Sequence, residues 1–443
     1  MSGRGWLLIL VLVLGAAGTV LGMRRFEGDP PQVAGPESLL LGRQAQEITF
    51  DLADAGTGLR SIRVVFESAT GEETLFSEDF PGSTFGGAVR GTAPATVTVT
   101  LDPATLPRTV AEGFLRVTAR DWSWRETFRG NETRVDVPVT IDRKPPRIAV
   151  ATGLTYVKRG GVGVVVYSPS EDTVRDGVRV GEAFFPGHPW GERKVAFYSV
   201  PTDAARNPKI RVEAEDAAGN VSSARWPVVV RERAMPEANV TLPASFLDEK
   251  VRELAAAEGV ETADLIQAFD QINTEVRAAN EAQVREALAE SAPEQLWEGP
   301  FLQLPNSKVT SRFAERRTYF VGGKSVSKAT HFGYDLASTS AAPIIAAAAG
   351  RVAFADELGI YGNCVLVDHG LGVGTLYGHL SRVDVAPGDA VGRGETLGLS
   401  GETGLAGGDH LHFAILVGDT YVDPLEWWDP KWMRENVEAR IAR

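Results

Sequence analysis

One cysteine in 443 residues, Cys364, excludes any intrachain disulfide, so stability has to come from packed cores. Cys364 sits in the apolar run GNCVLV and reads as a small core residue. Basic residues are also scarce, 45 Lys and Arg against 58 Asp and Glu, for a net charge of −13. That balance argues against a nucleic-acid partner, which calls for a basic face. With 43% hydrophobic and 23% charged residues the composition is ordinary for globular domains, so disorder is not the organising principle. Long apolar runs are rare, and the one that stands out, Trp6 to Met23, lies at the start.

Residues 1–25, MSGRGWLLILVLVLGAAGTVLGMRR, bracket that run between Arg4 and the pair Arg24 and Arg25. Its length is just enough to span a bilayer. A cleaved signal peptide competes, with Gly15 and Ala17 as small residues near a cut, but the run stays apolar to Met23 with no polar region before it. We read an uncleaved membrane anchor, whose orientation the nearly balanced flanking charge does not set.

Residues 33–144 alternate apolar and polar positions in short runs such as EITFDL, RSIRVVFES and TVTVTLD, separated by Gly and Pro turns. This predicts a β-sandwich, and residues 145–233 repeat the style with VGVVVYS and KVAFYSV. Two copies are supported by a weak repeat: LRVTARD (115–121) matches IRVEAED (210–216), and VPV (137–139) echoes WPV (226–228). Pro145 and Pro146 mark the boundary, and His188 reads as a turn residue. LRVTARD and IRVEAEDAAGN resemble the late strand of bacterial immunoglobulin-like modules, which implies spacers or units that bind carbohydrate or a partner.

From 237 to 298 the chain carries 14 acidic residues against four basic ones. Leu265, Phe269, Ile272, Val276 and Ala279 recur at helical steps, with Thr262 as N-cap. The expectation is an acidic helical linker packing its apolar stripe on the next domain. A sharper alternative is an arm that docks an envelope protein or covers a catalytic groove.

The final third holds the chemistry. His331 and Asp335 lie four apart in THFGYD, and His410 and His412 lie two apart in GDHLHFAI, where a strand aims both imidazoles to one face. These donors suit zinc, which in catalytic sites takes three protein ligands and keeps a fourth position for water. Four donors exceed three, leaving one of the paired histidines to handle protons, and His379 in LYGHLS is placed to join it. Asp368 and His369 in VDHG read as strand-end structure, and the Gly-rich GETGLAGG as a tight turn, since it lacks the lysine of a phosphate loop.

The segments VTSRFAERR (309–317), HFGYDLA (331–337), GNCVLVDHGLGVGTLYGHLS (362–381), APGDAVGRGETLGLSGETGLAGG (386–408) and HLHF (410–413) together resemble the lysostaphin-type, or LytM-type, zinc endopeptidases of bacterial peptidoglycan. The resemblance implies His331, Asp335 and His412 as ligands of one zinc ion, with His410 and His379 as catalytic histidines whose individual roles stay open. Three positions depart from the family's habit: Ala314 for glycine, Asp409 for proline and Ala414 for glutamate. None is a ligand.

The expected architecture is mainly β: an N-terminal membrane helix, two immunoglobulin-like β-sandwiches, a helical linker, and an antiparallel β metallopeptidase domain over 300–430. The expected function is a zinc endopeptidase cutting peptide stems or cross-links of peptidoglycan, anchored in the cytoplasmic membrane with its bulk outside the cytoplasm. Its rivals are a non-catalytic envelope scaffold or amidase activator using the same groove, and a metal hydrolase of another substrate class.

Overall fold

An unbroken apolar stretch without helix breakers folds as the helix Gly3–Arg25 in a computed structural model that describes residues 3–261 and 263–442. Its Trp6–Arg25 span has mean hydropathy 2.4, so by length and composition it is long and apolar enough to cross a membrane. Strands dominate the rest. The chain divides into two compact units, one of residues 1–146 with 215–221 and the other of residues 147–214 with 222–443.

In the first unit a three-stranded and a five-stranded sheet share one core. Gln46–Ala53 buries Ile48, Phe50 and Leu52, and Ala95–Leu101 buries Val97, Val99 and Leu101. The other sheet answers with Val64, Leu115, Val117 and Val139. The period of two in the sequence is thus the alternation of side chains across a pleated strand.

The internal repeat has a physical basis. Asp121 accepts from the Ser123 and Asn131 backbone N–H groups through Oδ1, and from Asn131 Nδ2 through Oδ2. Asp216 does the same with Ala218 N, Asn220 N and Asn220 Nδ2. Each copy therefore ends its strand on a buried Asp–Asn lock that satisfies the turn's backbone donors.

In the second unit the sheets built from residues 148–231 and the C-terminal sheet share one continuous core. Phe197 lies 5.7 Å from Trp297 and 6.1 Å from Trp427, ring centre to ring centre. Glu426 is buried at the same junction, where its Oε2 accepts from Val162 N at 2.8 Å. Burial pushes its carboxyl up from 4.5 to about 7, with Asp423 adding to the rise and Lys158 and Arg233 opposing it. A carboxyl raised in the folded state contributes stability that is complete below the unfolded value and is lost as pH rises through the folded one. Glu426→Gln keeps an acceptor for Val162 N and cannot ionise, so it should stabilise the fold by about 3 kcal/mol above roughly pH 8. Urea titrations on either side of pH 7 check this, and an equal pH dependence in both proteins would refute it.

The acidic segment is more than a helical linker. Glu237–Thr241 is a strand, paired parallel with Glu315–Val321 of the C-terminal domain. Helices follow over 244–257 and 265–287, and their Leu254, Phe269, Ile272 and Val284 are buried. The stripe read from the sequence holds at Phe269 and Ile272 but not at Ala279, which is exposed beside buried Asn280. Steps of four and three average 3.5 residues, against 3.6 per helical turn, so such a stripe drifts by roughly 20° per heptad. Asn280 takes the inward place, and its Oδ1 accepts from Ile360 N at 2.9 Å. The N-cap of the second helix is Asp264, which accepts from Ile266 N and Gln267 N; Thr262 lies outside the described residues.

The C-terminal sheet is antiparallel throughout, in the order 308–311, 334–337, 411–417, 373–380, 363–368, 350–357 and 390–391, with 420–422 added on the 411–417 strand. Cys364 lies fully buried within it, and burial pushes its thiol up to about 12, as suits an inert core residue.

Candidate metal centre and catalytic cleft

Strand register assembles the site. His331 ends the strand Lys324–His331, and Asp335 lies in the next, Tyr334–Ala337. That strand pairs with Leu411–Val417 so that Asp335 stands directly opposite His412, and His412 in turn faces Gly378. Opposed residues place their Cβ atoms about 4.5–5.5 Å apart on one face, so pairing brings carboxylate and imidazole together, and His379, next to Gly378, joins them off the regular alternation from a backbone at φ 67°, its ring centre 5.9 Å from that of His412. Gly333 is required in the connecting turn, because a Cβ there would stand 2.6 Å from His412 Cε1.

His331 Nε2 lies 2.9 Å from Asp335 Oδ1 and 3.0 Å from His412 Nδ1, and His412 Nδ1 lies 3.0 Å from Asp335 Oδ1. All three side chains are buried. His331 Nδ1 is 3.1 Å from the Arg312 carbonyl, which only accepts, so the proton belongs on Nδ1 and Nε2 turns a lone pair inward. Nitrogen lone pairs and a carboxylate oxygen this close repel one another unless a cation or a shared proton sits among them. Donors bound to one zinc at about 2.0–2.2 Å stand roughly 3–3.5 Å apart, so this donor set fits one such ion. Burial opposes the charge on Asp335, but the imidazoles of His331 and His412 outweigh it and hold the carboxyl well below the usual range. Burial pulls His412 down to about 4, which keeps it a neutral donor.

Arg317 was not singled out by the sequence reading. Its Nη2 donates to Asp335 Oδ2 at 2.9 Å and its Nε to Glu315 Oε1 at 2.8 Å, fixing the carboxylate so that Oδ1 faces the histidines. The available signal was its place inside VTSRFAERR, two residues from Glu315 and therefore on the same face of a strand.

His379 and His410 stand with ring centres 4.8 Å apart beside the triangle. Their Nδ1 atoms lie 2.9 Å from the Thr403 carbonyl and 2.7 Å from the Gly408 carbonyl, so each donates from Nδ1 and keeps Nε2 as an acceptor. His410 Nε2 is 3.7 Å from Asp335 Oδ1, too far for a hydrogen bond. Burial first, then neighbouring His410 and His412, hold His379 well below the usual histidine range. Its backbone sits at φ 67°, a strained conformation for a residue with a side chain. The GETGLAGG turn, through Thr403 and Gly408, thus orients both histidines.

These side chains line a cleft of about 460 Å³. Its remaining wall includes Val240, Leu242, Pro243 and Phe246 from the acidic segment, and Lys250 Nζ donates to the Glu402 carbonyl at 2.7 Å.

Other sequence candidates fall elsewhere. Asp368 accepts from Ala292 N and Gly370 N, and buried His369 is held between the Ala349 carbonyl and Thr375 Oγ1, so both are structural. His188 is half-buried in the strand His188–Trp190 and contributes nothing to the cleft lining. Ala314 adopts φ 61°, a region glycine enters freely and alanine at a cost of about 1–2 kcal/mol. Asp409 accepts from Ala341 N at 2.8 Å and Ser340 Oγ at 3.1 Å. Ala414 is fully buried opposite Leu376, where a carboxylate would be costly.

Residues 329–424 match the family described as Peptidase family M23. The DD-carboxypeptidase/endopeptidase Mpg of Neisseria meningitidis serogroup B is 40% identical over 95 residues, 21% of this chain and 22% of that protein. The peptidoglycan DD-endopeptidase ShyB of Vibrio cholerae is 34% identical over 119 residues, 27% of each chain. The matched stretch thus spans only 22% and 27% of the length of these two relatives. Among solved structures, the catalytic domain of the antimicrobial peptidase lysostaphin from Staphylococcus simulans is 28% identical, covering 30% of this chain and 98% of that one, with a TM-score of 0.25.

Proposed function

We propose that this chain, whose residues 329–424 carry an M23 peptidase domain, is a zinc endopeptidase hydrolysing peptide stems or cross-links of peptidoglycan. On this reading the Gly3–Arg25 helix anchors it in the cytoplasmic membrane and the rest lies outside the cytoplasm. The observation that carries the proposal is the His331–Asp335–His412 triangle with two further imidazoles presenting free Nε2 atoms beside it. Relatives named as peptidoglycan DD-endopeptidases and as a DD-carboxypeptidase/endopeptidase support the substrate class.

His331, Asp335 and His412 would hold the ion. When bound, zinc polarises a carbonyl and makes water acidic enough to serve as a nucleophile near neutral pH. Arg317 keeps Asp335 oriented. Nε2 of one free histidine accepts the proton from the attacking water as the new C–O bond forms. The imidazolium so made delivers that proton to the departing amine nitrogen as the C–N bond breaks, and the second free imidazole serves the same proton path. Arg317→Ala should lower kcat/KM by about 10–100-fold through a loosened ligand, and Arg317→Lys should recover part of the loss, as metal titration alongside rate measurement would show.

A second reading, a non-catalytic scaffold or amidase activator using the groove for binding, draws on the Val240–Phe246 wall that narrows the cleft. Digestion of purified sacculi by the full chain, with zinc and with chelator, followed by mass analysis of the fragments, separates the two. Chelator-sensitive release of shortened peptides is expected. Sacculus binding without release would overturn the enzyme in favour of the scaffold.

A further inference from the structure

The N-terminal helix runs into the first unit without a spacer. The Arg25 carbonyl accepts from Trp124 N at 2.7 Å and Ser123 Oγ at 3.1 Å, and the Arg25 guanidinium donates to the Phe85 carbonyl at 3.1 Å. The end of the helix is therefore fixed to the loops around Phe85 and Trp122–Arg129. At that spot Trp124 meets Phe26, Phe85 and Phe128 edge-on, with ring centres at 5.5, 5.7 and 6.0 Å.

A water-facing domain would turn these rings inward. Instead Phe26, Phe85 and Phe128 are 54%, 72% and 54% exposed, and nearby Val89 is 78% exposed. Phe128 is held outward at a conformational cost, because Glu126, Thr127 and Phe128 take consecutive positive φ angles of 49°, 58° and 67°. Arg60 Nη1 donates to the Phe128 carbonyl at 2.9 Å and Arg125 Nε to the Phe26 carbonyl at 3.3 Å, bracing the loop.

The loop that carries Trp124 and Phe128 is basic on balance, with Arg125 and Arg129 against Glu126. Arg24, Arg125 and Arg129 are exposed in the same two segments, Arg25 is buried, and Glu126 is the single acidic residue from Trp122 to Gly130. Three neighbouring carboxylates turn inward, Glu27 accepting from Thr57 N, Asp54 from Gly58 N and Asp121 from Asn131 N, while Asp29 stays exposed three residues after Phe26. Exposed aromatics with a basic rim suit the headgroup layer, where rings sit at the boundary and arginines meet lipid phosphates. Phe26 follows directly on the last residue of the helix, so the patch begins where the apolar span ends.

From this we infer that the Phe26–Phe85–Trp124–Phe128 tip lies in the headgroup layer of the bilayer that the Gly3–Arg25 helix spans, so that the first unit is seated on the lipid surface as well as tethered to it. The inference rests on the anchor reading of that helix. It is tested on the full chain reconstituted in vesicles of phosphatidylethanolamine and phosphatidylglycerol. Cys364 is fully buried, so cysteines introduced as Phe85→Cys and Phe128→Cys take a nitroxide selectively. Phe114→Cys is the control: Phe114 is 49% exposed on the strand that ends at Asp121, roughly 23 Å back from the tip at about 3.3 Å per residue.

Labels at 85 and 128 should be several-fold less accessible to a water-soluble relaxing agent than the label at 114, and more accessible to oxygen. A chain that floats with the vesicles while all three labels stay equally open to water would overturn the seating and leave the anchor standing. Flotation failing altogether would overturn both. Protection at 85 and 128 that appears only when a second protein is added would also overturn it, assigning the tip to a protein partner.

Discussion

His412→Ala is expected to give a folded chain that releases nothing measurable from sacculi. The ring that is lost stands opposite Asp335 in register and supplies one of three donor atoms 2.9–3.0 Å apart. Two donors cannot define a closed face for one ion, and even loss of a partner that merely orients a ligand costs about 10–100-fold in metal affinity. The measurement pairs metal content after dialysis with fragment release, and a thermal melt shows that the fold survives. Native metal content with a native rate would remove His412 from the site. Normal metal content with no activity would move it to the catalytic pair.

His379→Ala and His410→Ala should separate the other way. Both rings keep Nδ1 on a backbone carbonyl, and His410 Nε2 lies 3.7 Å from Asp335 Oδ1, outside hydrogen-bonding distance. Each substitution should therefore leave zinc bound and lower kcat by about 10²–10⁴-fold, the range for a positioned proton-transfer group. The double variant should fall little further than the worse single one, since groups acting on one proton path are not additive. His379→Ala also removes a side chain from a residue held at φ 67°, so a melt is needed to keep a stability loss apart from a catalytic one. Loss of metal in either variant would show that the division of roles is wrong.

The candidate site was largely legible because its residues obey local rules. His410 and His412 fall two apart on or beside one strand, and a glycine turn sets His331 and Asp335 near them. The period of two also marked the strands of the first unit, where Ile48, Phe50 and Leu52 alternate inward. What the sequence hid was pairing between distant segments. Nothing local in EANVT announces a strand that runs parallel to Glu315–Val321, and the apolar stripe at helical steps further along pointed to a helical linker. Arg317 escaped for the same reason: its function exists only once residue 335 has been brought alongside. Ala279 was assigned inward because a 3.5-residue rhythm was extended past the point where a real helix has rotated away from it.

The parallel pairing of Glu237–Thr241 with Glu315–Val321 bears on how the molecule can be dissected. A recombinant fragment started at residue 300 would bare a row of unpaired amides and carbonyls along Glu315–Val321, together with the side chains that Phe269 and Trp297 now cover, such as Tyr319 and Trp427. Such an edge invites chains to stack on one another, so a fragment cut at residue 300 is expected to aggregate. Grafting the proposed activity onto another protein calls for scissors placed near residue 147, where the second compact unit begins.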